Sequence, residues 1–319
     1  MTFRRRQLQS FDPELRRLAA VLPRGSIGPR TLPLVRRLEV KRPRGARRGI
    51  ATTGVGPITV RVHRPATGSR PPYPGLLWIH GGGYVMGTAA QDDRLCQLIA
   101  QRLGVLVAAV DHRVAPEHPF PTPLDDCHDA LVWLADRADV DESQIAIGGA
   151  SAGGGLGAAL ALLARDRGQV TPVLQLLSYP MLDDRTAIRP DLDERYVRLW
   201  NNRSNRFGWT AYLGEAPGGA DISHLAAPAR CENLSGLPRT WIGVGTADIF
   251  HDEAVAYGLR LRDVGVHCDI DVVTGAFHGF DSVSPNSNIT KRFRDAQLRA
   301  LESAFQKEGN ATPSRGVQE

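Results

Sequence analysis

Gln144-Ile145-Ala146-Ile147-Gly148-Gly149-Ala150-Ser151-Ala152-Gly153 leads into a run of small apolar residues that ends at Arg165, and it reads as strand, sharp turn and helix. Gly149 to Gly153 spell G-x-S-x-G. The spacing has a steric reason: a serine on a tight strand-to-helix turn needs small residues two positions either side, so that strand and helix can approach. Its hydroxyl then sits at the helix N-terminus, where free backbone N–H groups and the helix dipole favour developing negative charge. Gly153, Gly155 and Ala158 also satisfy a dinucleotide-type G-x-G-x-x-A spacing. Those glycines begin inside the predicted helix, and no acid closes a following strand to hold a ribose, so the serine elbow is the stronger reading.

A serine nucleophile also needs an oxyanion stabiliser, a base and an acid that orients the base. His80-Gly81-Gly82-Gly83 follows the apolar strand Gly75 to Ile79, and three glycines there leave backbone N–H groups unshielded for an oxyanion. Among nine histidines, His278 in Phe277-His278-Gly279-Phe280 is the best base, lying on a loop just after a strand. Asp248 follows the strand Trp241 to Val244 and gives the order Ser, Asp, His. Asp252 is the rival acid, although Asp252 and Glu253 also suit the opening of the next helix.

Around these motifs apolar strands alternate with helices. Ile58, Val60 and Val62 alternate as a half-buried strand, and Val105 to Val110 and Val173 to Leu177 are continuous apolar runs. Thr240 to Val244 and Cys268 to Val273 flank a helix near Asp252 to Val264; further helices are predicted near 92–103, 122–137 and 288–305. Such alternation implies an α/β chain with a mostly parallel sheet covered on both faces. Before it, Asp12-Pro13-Glu14 starts a short helix whose Phe11, Leu15, Leu18 and Leu22 share a face, and the stretch to about Gly56 reads as a connector with at most one more helix. Asp183 to Leu213 breaks the rhythm, being polar and carrying Trp200, Phe207, Trp209 and Tyr212, so it is expected to lie over the carboxyl edge of the sheet beside the N-terminal helix. The tail after about 308 is expected to be disordered.

Composition narrows the class. The 319 residues are 42% hydrophobic and 23% charged, with 33 glycines and 22 prolines, which excludes a collagen-like or low-complexity chain. The net charge is +5, yet residues 1–48 carry +11 and the rest −6. A basic N-terminus raises the idea of a nucleic-acid surface, but a solvated helical face explains it as well. Cys96, Cys127, Cys231 and Cys268 are spaced like neither a zinc site nor a disulfide framework. The N-terminus lacks the apolar core of a secretory signal, and the longest apolar stretch is too short for stable membrane insertion, so a cytoplasmic protein is expected.

HGGGYVMG, DHRVAPEHPFPTPLDD (Asp111 to Asp126), GASAGG, DIFHDE (Asp248 to Glu253) and FHGF together resemble the bacterial hormone-sensitive-lipase-like esterases of the α/β-hydrolase superfamily. The resemblance runs from about Ile58 to the last helix. It implies an α/β-hydrolase fold, with a mostly parallel eight-stranded sheet flanked by helices, and a helical cap built from residues 1–50 and an insertion at about 183–213 of the catalytic domain 51–319. It implies a serine carboxylic-ester hydrolase acting on small-molecule esters of short to medium chain, with no cofactor, no metal and no nucleic-acid partner. Ser151 would be the nucleophile, His278 the base and acid, and Asp248 the carboxylate that fixes the imidazole. The oxyanion donors would be the N–H groups of Gly82, Gly83 and Ala152, with His80 holding the glycine loop. Asp111, Arg113 and Glu117 would form an ion-pair network beside the site. Tyr84, Trp200, Trp209 and Phe280 are candidate substrate-binding residues, with plain cap core as the alternative. Ala150 departs from the family pattern, in which Asp or Thr is common before the nucleophile. A deacetylase or amide hydrolase would use the same triad. A non-enzymatic receptor on this fold, as in the plant gibberellin-receptor relatives, usually lacks a complete one. Cys268 to Val273 as an edge strand would allow a homodimer.

Overall fold

A computed structural model of the chain describes residues 8–25, 27–40, 50–66 and 68–306. The tail after about 308 and much of the basic N-terminal run lie outside the described residues. Eight strands form one sheet: β1 (Ile50–Val55), β2 (Ile58–His63), β3 (Tyr73–Ile79), β4 (Leu106–Asp111), β5 (Val140–Ala150), β6 (Leu174–Ser178), β7 (Arg239–Ala247) and β8 (Cys268–Phe277). Their order is β1-β2-β4-β3-β5-β6-β7-β8. The β1–β2 and β2–β4 pairs are antiparallel and the rest parallel. The central strands read as continuous apolar runs because both faces are covered: Leu76 to Ile79, Leu106 to Val110 and Ile145 to Ile147 are fully buried.

The helices are α1 (Arg16–Val21), α2 (Leu32–Val40), α3 (Asp93–Leu103), α4 (Thr122–Ala135), α5 (Ala152–Arg167), α6 (Asn202–Leu213), α7 (His251–Asp263), α8 (Phe280–Val283) and α9 (Asn288–Phe305). α5 is buried from Ala152 through Ala164, so it carries no polar face and no amphipathic period. α9 begins where the Ser287 side chain accepts the N–H of Thr290 and buries Ile289, Phe293 and Leu301 against the sheet. α4 buries Leu124, Cys127, Leu131 and Leu134, spaced as one helical stripe.

Two strands differ from the sequence reading. β1 lies within the stretch read as connector; it is an edge strand with a mostly exposed, Thr- and Gly-containing sequence, so apolar alternation does not reveal it. β2 was expected to be half-buried, yet Arg61 and His63 on its second face are buried too. Arg61 makes a two-pronged ion pair with Asp93 of α3, at 2.9 and 2.7 Å, which makes burial of that polar face tolerable. Removing either partner would strand a buried charge at a cost of about 3–5 kcal/mol.

The N-terminal segment packs on residues 183–213. Phe11 meets the edge of Tyr196 and lies under the Arg198 guanidinium. Arg198 donates to Ala19 O, Leu199 N–H to Pro23 O, and Ser204 Oγ to Ile27 O. β3, β5, β7 and β8 all end on the sheet edge beneath this cap, which brings His80, Ser151, Asp248 and His278 to one place although they are spread over about 200 residues.

Candidate active site

Ser151 stands between β5 and α5 at φ 58° and ψ −122°, a strained conformation for a residue with a side chain. The turn that imposes it is sterically closed: a Cβ at Gly149 would lie 2.2 Å from Gly153 O, and one at Gly153 would lie 2.1 Å from Ile79 O. The two glycines of G-x-S-x-G are therefore required by backbone contact, in the second case with the strand that leads into the His80 loop.

Ser151 Oγ lies 2.9 Å from His278 Nε2, and His278 Nδ1 lies 2.7 Å from Asp248 Oδ2. Asp248 Oδ1 accepts the N–H of Phe250 at 3.0 Å, which fixes the carboxylate plane. All three residues are largely buried, with Ser151 7%, Asp248 7% and His278 9% exposed. Phe250 and Tyr179 make T-shaped contacts with the imidazole, with centroids 5.2 and 4.9 Å away.

The glycine loop is held from behind. His80 Nδ1 donates to Gly81 O at 2.9 Å, and its ring stacks on His112 at 4.1 Å. Burial pushes the pKa of both imidazoles down, so the stack is neutral. Gly82 (φ 134°) and Gly83 (φ 59°) adopt conformations that favour glycine, and Gly82 O accepts the N–H groups of Val85 and Met86. The N–H groups of Gly82, Gly83 and Ala152 have no protein acceptor among the described residues. The arrangement thus brings unengaged backbone donors to a serine hydroxyl that is hydrogen-bonded to an imidazole.

The remaining predicted residues separate. Asp252 is paired with Arg189 and His251, both at 3.0 Å, on the exposed start of α7, away from His278. Glu253 turns inward instead and accepts from Leu182 N–H, Asp183 N–H and Thr186 Oγ1; burial pushes its pKa well up. The expected network of Asp111, Arg113 and Glu117 does not form. Arg113 binds Asp126, Glu117 binds Arg36 of α2, and Asp111 accepts the N–H of Ala89, each anchoring a different loop to its neighbour. Arg36 also donates to Val85 O and Ala115 O, tying the cap to the loops beneath it.

Tyr84, Trp209 and Phe280 are fully buried packing residues rather than an open wall. Tyr84 donates to Met181 O and stacks on Tyr212, Trp209 tilts against Tyr84, and Phe280 meets Phe293. Trp200 is the one that reaches the loop: a Cβ at Gly83 would fall 2.0 Å from its ring.

Sequence reasoning missed what stands behind His278. The Tyr179 hydroxyl donates to Asp281 Oδ1 at 2.8 Å, and both border a polar cavity of about 170 Å³ that Asp92, Ser178 and Gln297 also line. Burial raises the pKa of Asp281 and pushes Asp92 up to about 7 even though the Trp78 indole N–H donates to it. Only the position of Asp281 three residues after His278 hinted at this group.

Comparison with known proteins gives a consistent picture. A family model described as alpha/beta hydrolase fold matches residues 76–282. The carboxylic ester hydrolase LipN of Mycobacterium tuberculosis is 35% identical over 237 residues, 70% of this chain and 61% of LipN, so the chain spans less than two thirds of that relative. The ethyl acetate hydrolase of Pseudomonas putida is 35% identical over 230 residues, 70% of this chain and 71% of that protein. Among solved structures, a bacterial heroin esterase superposes with a TM-score of 0.85 at 33% identity, covering 94% of this chain and 99% of that one. The esterase LipW of Mycobacterium marinum gives 0.82 at 31% identity, covering 94% and 97%.

Proposed function

The chain belongs to the alpha/beta hydrolase fold family, with the hormone-sensitive-lipase-like esterases as its kin, and on that premise we propose that it is a serine carboxylic-ester hydrolase for small esters of short to medium acyl chain. The observation that carries this reading is the unbroken chain of contacts from Ser151 Oγ through His278 to Asp248. Ser151 attacks the ester carbonyl while His278 Nε2 takes its proton, and Asp248 stabilises the imidazolium through Nδ1–H. The tetrahedral oxygen is held by the N–H groups of Gly82, Gly83 and Ala152. Its collapse expels the alcohol, which takes the proton from His278, and leaves an acyl-Ser151. Water deprotonated by His278 then attacks the acyl group; the bond to Ser151 Oγ breaks, Oγ takes the proton back from His278, and the acid is released.

The limit on chain length is argued from Trp200, whose ring packs against Gly83 of the glycine loop. Among the described residues no helix is long and apolar enough to cross a membrane. The β8 edge of the sheet is the surface a second copy would pair with.

Labelling with an organophosphate and a panel of p-nitrophenyl esters tests the reading. One covalent adduct on Ser151, and a loss on the order of 10⁴-fold or more in kcat/KM for Ser151→Ala, are expected. Wild-type turnover in that variant would sink the proposal.

A further inference from the structure

Gly208, Trp209 and Tyr212 form the stripe of α6 that lies on the oxyanion loop. A Cβ at Gly208 would stand 2.6 Å from Gly83 O, and the rings of Trp209 and Tyr212 lie 5.1 and 4.0 Å from that of Tyr84. Asn205, three and four positions earlier, extends the same stripe by one turn. It is 0% exposed, and neither its Oδ1 nor its Nδ2 has a hydrogen-bond partner among the described residues. Trp200 Nε1, Trp209 Nε1 and Tyr212 Oη are buried and unpartnered as well.

Buried amide and indole groups in folded proteins are nearly always paired, because leaving one unpaired costs stability. At the start of α6 Asn201 Oδ1 accepts the N–H of Ser204 and Ser204 Oγ donates to Ile27 O, while Asn202 Oδ1 is buried and unpartnered. Asn205, Trp209 and Tyr212 of the stripe, with Trp200 just before the helix, hold the other unpartnered groups of this segment. A plain alkyl chain placed there would leave every one of these groups unsatisfied, whereas an oxygen on the substrate would engage them.

We infer that Asn205, together with the Trp200 indole N–H, binds a hydroxyl or carbonyl oxygen carried by the ester, so that oxygen-substituted esters are preferred over their alkyl counterparts. The inference rests on the ester-hydrolase reading of Ser151 and names the substrate class of that site. Asn205 contributes both a donor and an acceptor, which suits a hydroxyl; Trp200 contributes a donor.

Two pairs of esters test it on the full-length protein. p-Nitrophenyl butyrate against p-nitrophenyl 3-hydroxybutyrate places the hydroxyl on the acyl half, and ethyl butyrate against 2-hydroxyethyl butyrate places it on the alcohol half. The expected result is a kcat/KM at least about tenfold higher for the hydroxylated member of one pair, falling toward parity in Asn205→Leu. The melting temperature of that variant should equal or exceed the wild-type value, since it removes an unpaired buried amide. Parity within both pairs for the wild type, or a preference that survives Asn205→Leu, overturns the inference and leaves the hydrolase reading standing. A melting temperature several degrees lower with the ratio unchanged assigns Asn205 a structural bond and overturns it too. Failure to hydrolyse all four esters, together with a Ser151 that resists the organophosphate, overturns both readings.

Discussion

The positive φ of Ser151 is imposed by two backbone contacts, and the reward for that strain is a hydroxyl held 2.9 Å from His278. The proposed acid is set apart from its rival by contacts of the same range. Asp248 faces His278 at 2.7 Å, while Asp252 is spent on Arg189 and His251. Asp248→Asn should therefore lower kcat by about 10³- to 10⁴-fold, and Asp252→Asn should change it by less than about threefold, as steady-state kinetics will read. Tyr179 acts one contact further out. Its hydroxyl satisfies the buried Asp281 while its ring makes a T-shaped contact with the imidazole. Tyr179→Phe should cost about 1–3 kcal/mol in denaturant titrations, because Asp281 loses its donor, and should lower kcat more than it alters KM.

At the scale of elements, α6 and the glycine loop depend on each other. Gly208 lets the helix approach until Gly83 O would touch an added Cβ, and Trp200 closes the same contact from the preceding turn. Gly208→Ala pushes against backbone, not against a flexible side chain. The expected outcome is a folded protein, judged by an unchanged far-ultraviolet circular dichroism spectrum, whose kcat/KM falls by about 10- to 100-fold as the oxyanion donors shift. Arg36 plays the corresponding part for α2, joining it to Val85 O, Ala115 O and Glu117. These polar contacts act beside the buried side chains of Phe11, Leu15, Trp209 and Tyr212, which join the same core as the sheet.

For the whole molecule, buried titratable groups set opposing responses to pH. His63 has its pKa pushed down to about 4 by burial, with the Arg61 charge adding to the shift and Asp93 opposing it. Its contribution to stability is full above about pH 6.5, where the unfolded histidine is neutral, and is lost as pH falls toward 4. Asp92 has the opposite sign, because burial raises it to about 7. Its favourable contribution is full below the unfolded carboxyl pKa of about 4 and is lost as pH rises through 7. Asp92→Asn keeps an acceptor for Trp78 and should raise stability at pH 8 by about 1–3 kcal/mol while changing little at pH 4, the partial exposure of Asp92 limiting the gain. Denaturant titrations at the two pH values measure the difference. Outside this interior, the +11 of residues 1–48 belongs to the segment whose described part packs on the 183–213 insertion.

The sequence by itself determined the parallel sheet and the elements of the candidate site, because both are written in local patterns. Apolar runs such as Leu76 to Ile79 need no partner to be read as strands, and the glycines around Ser151 and after Ile79 stand out as short motifs, although Gly153 answers to Ile79 O and Gly83 to the Trp200 ring, both distant in the chain. What the pattern hid was everything whose meaning lies in a distant partner. β1 is visible only through its pairing with β2, and Arg61 reads as an exposed residue until Asp93 is placed over it. The Asp111, Arg113 and Glu117 grouping was natural in sequence and false in space, because each side chain found its partner on a different element. Tyr179, Asp281 and Asn205 carry no motif at all. They stand out through burial beside His278 or on the helix that meets Gly83, and burial is a property that only the folded chain assigns, since it depends on which surfaces the rest of the molecule covers.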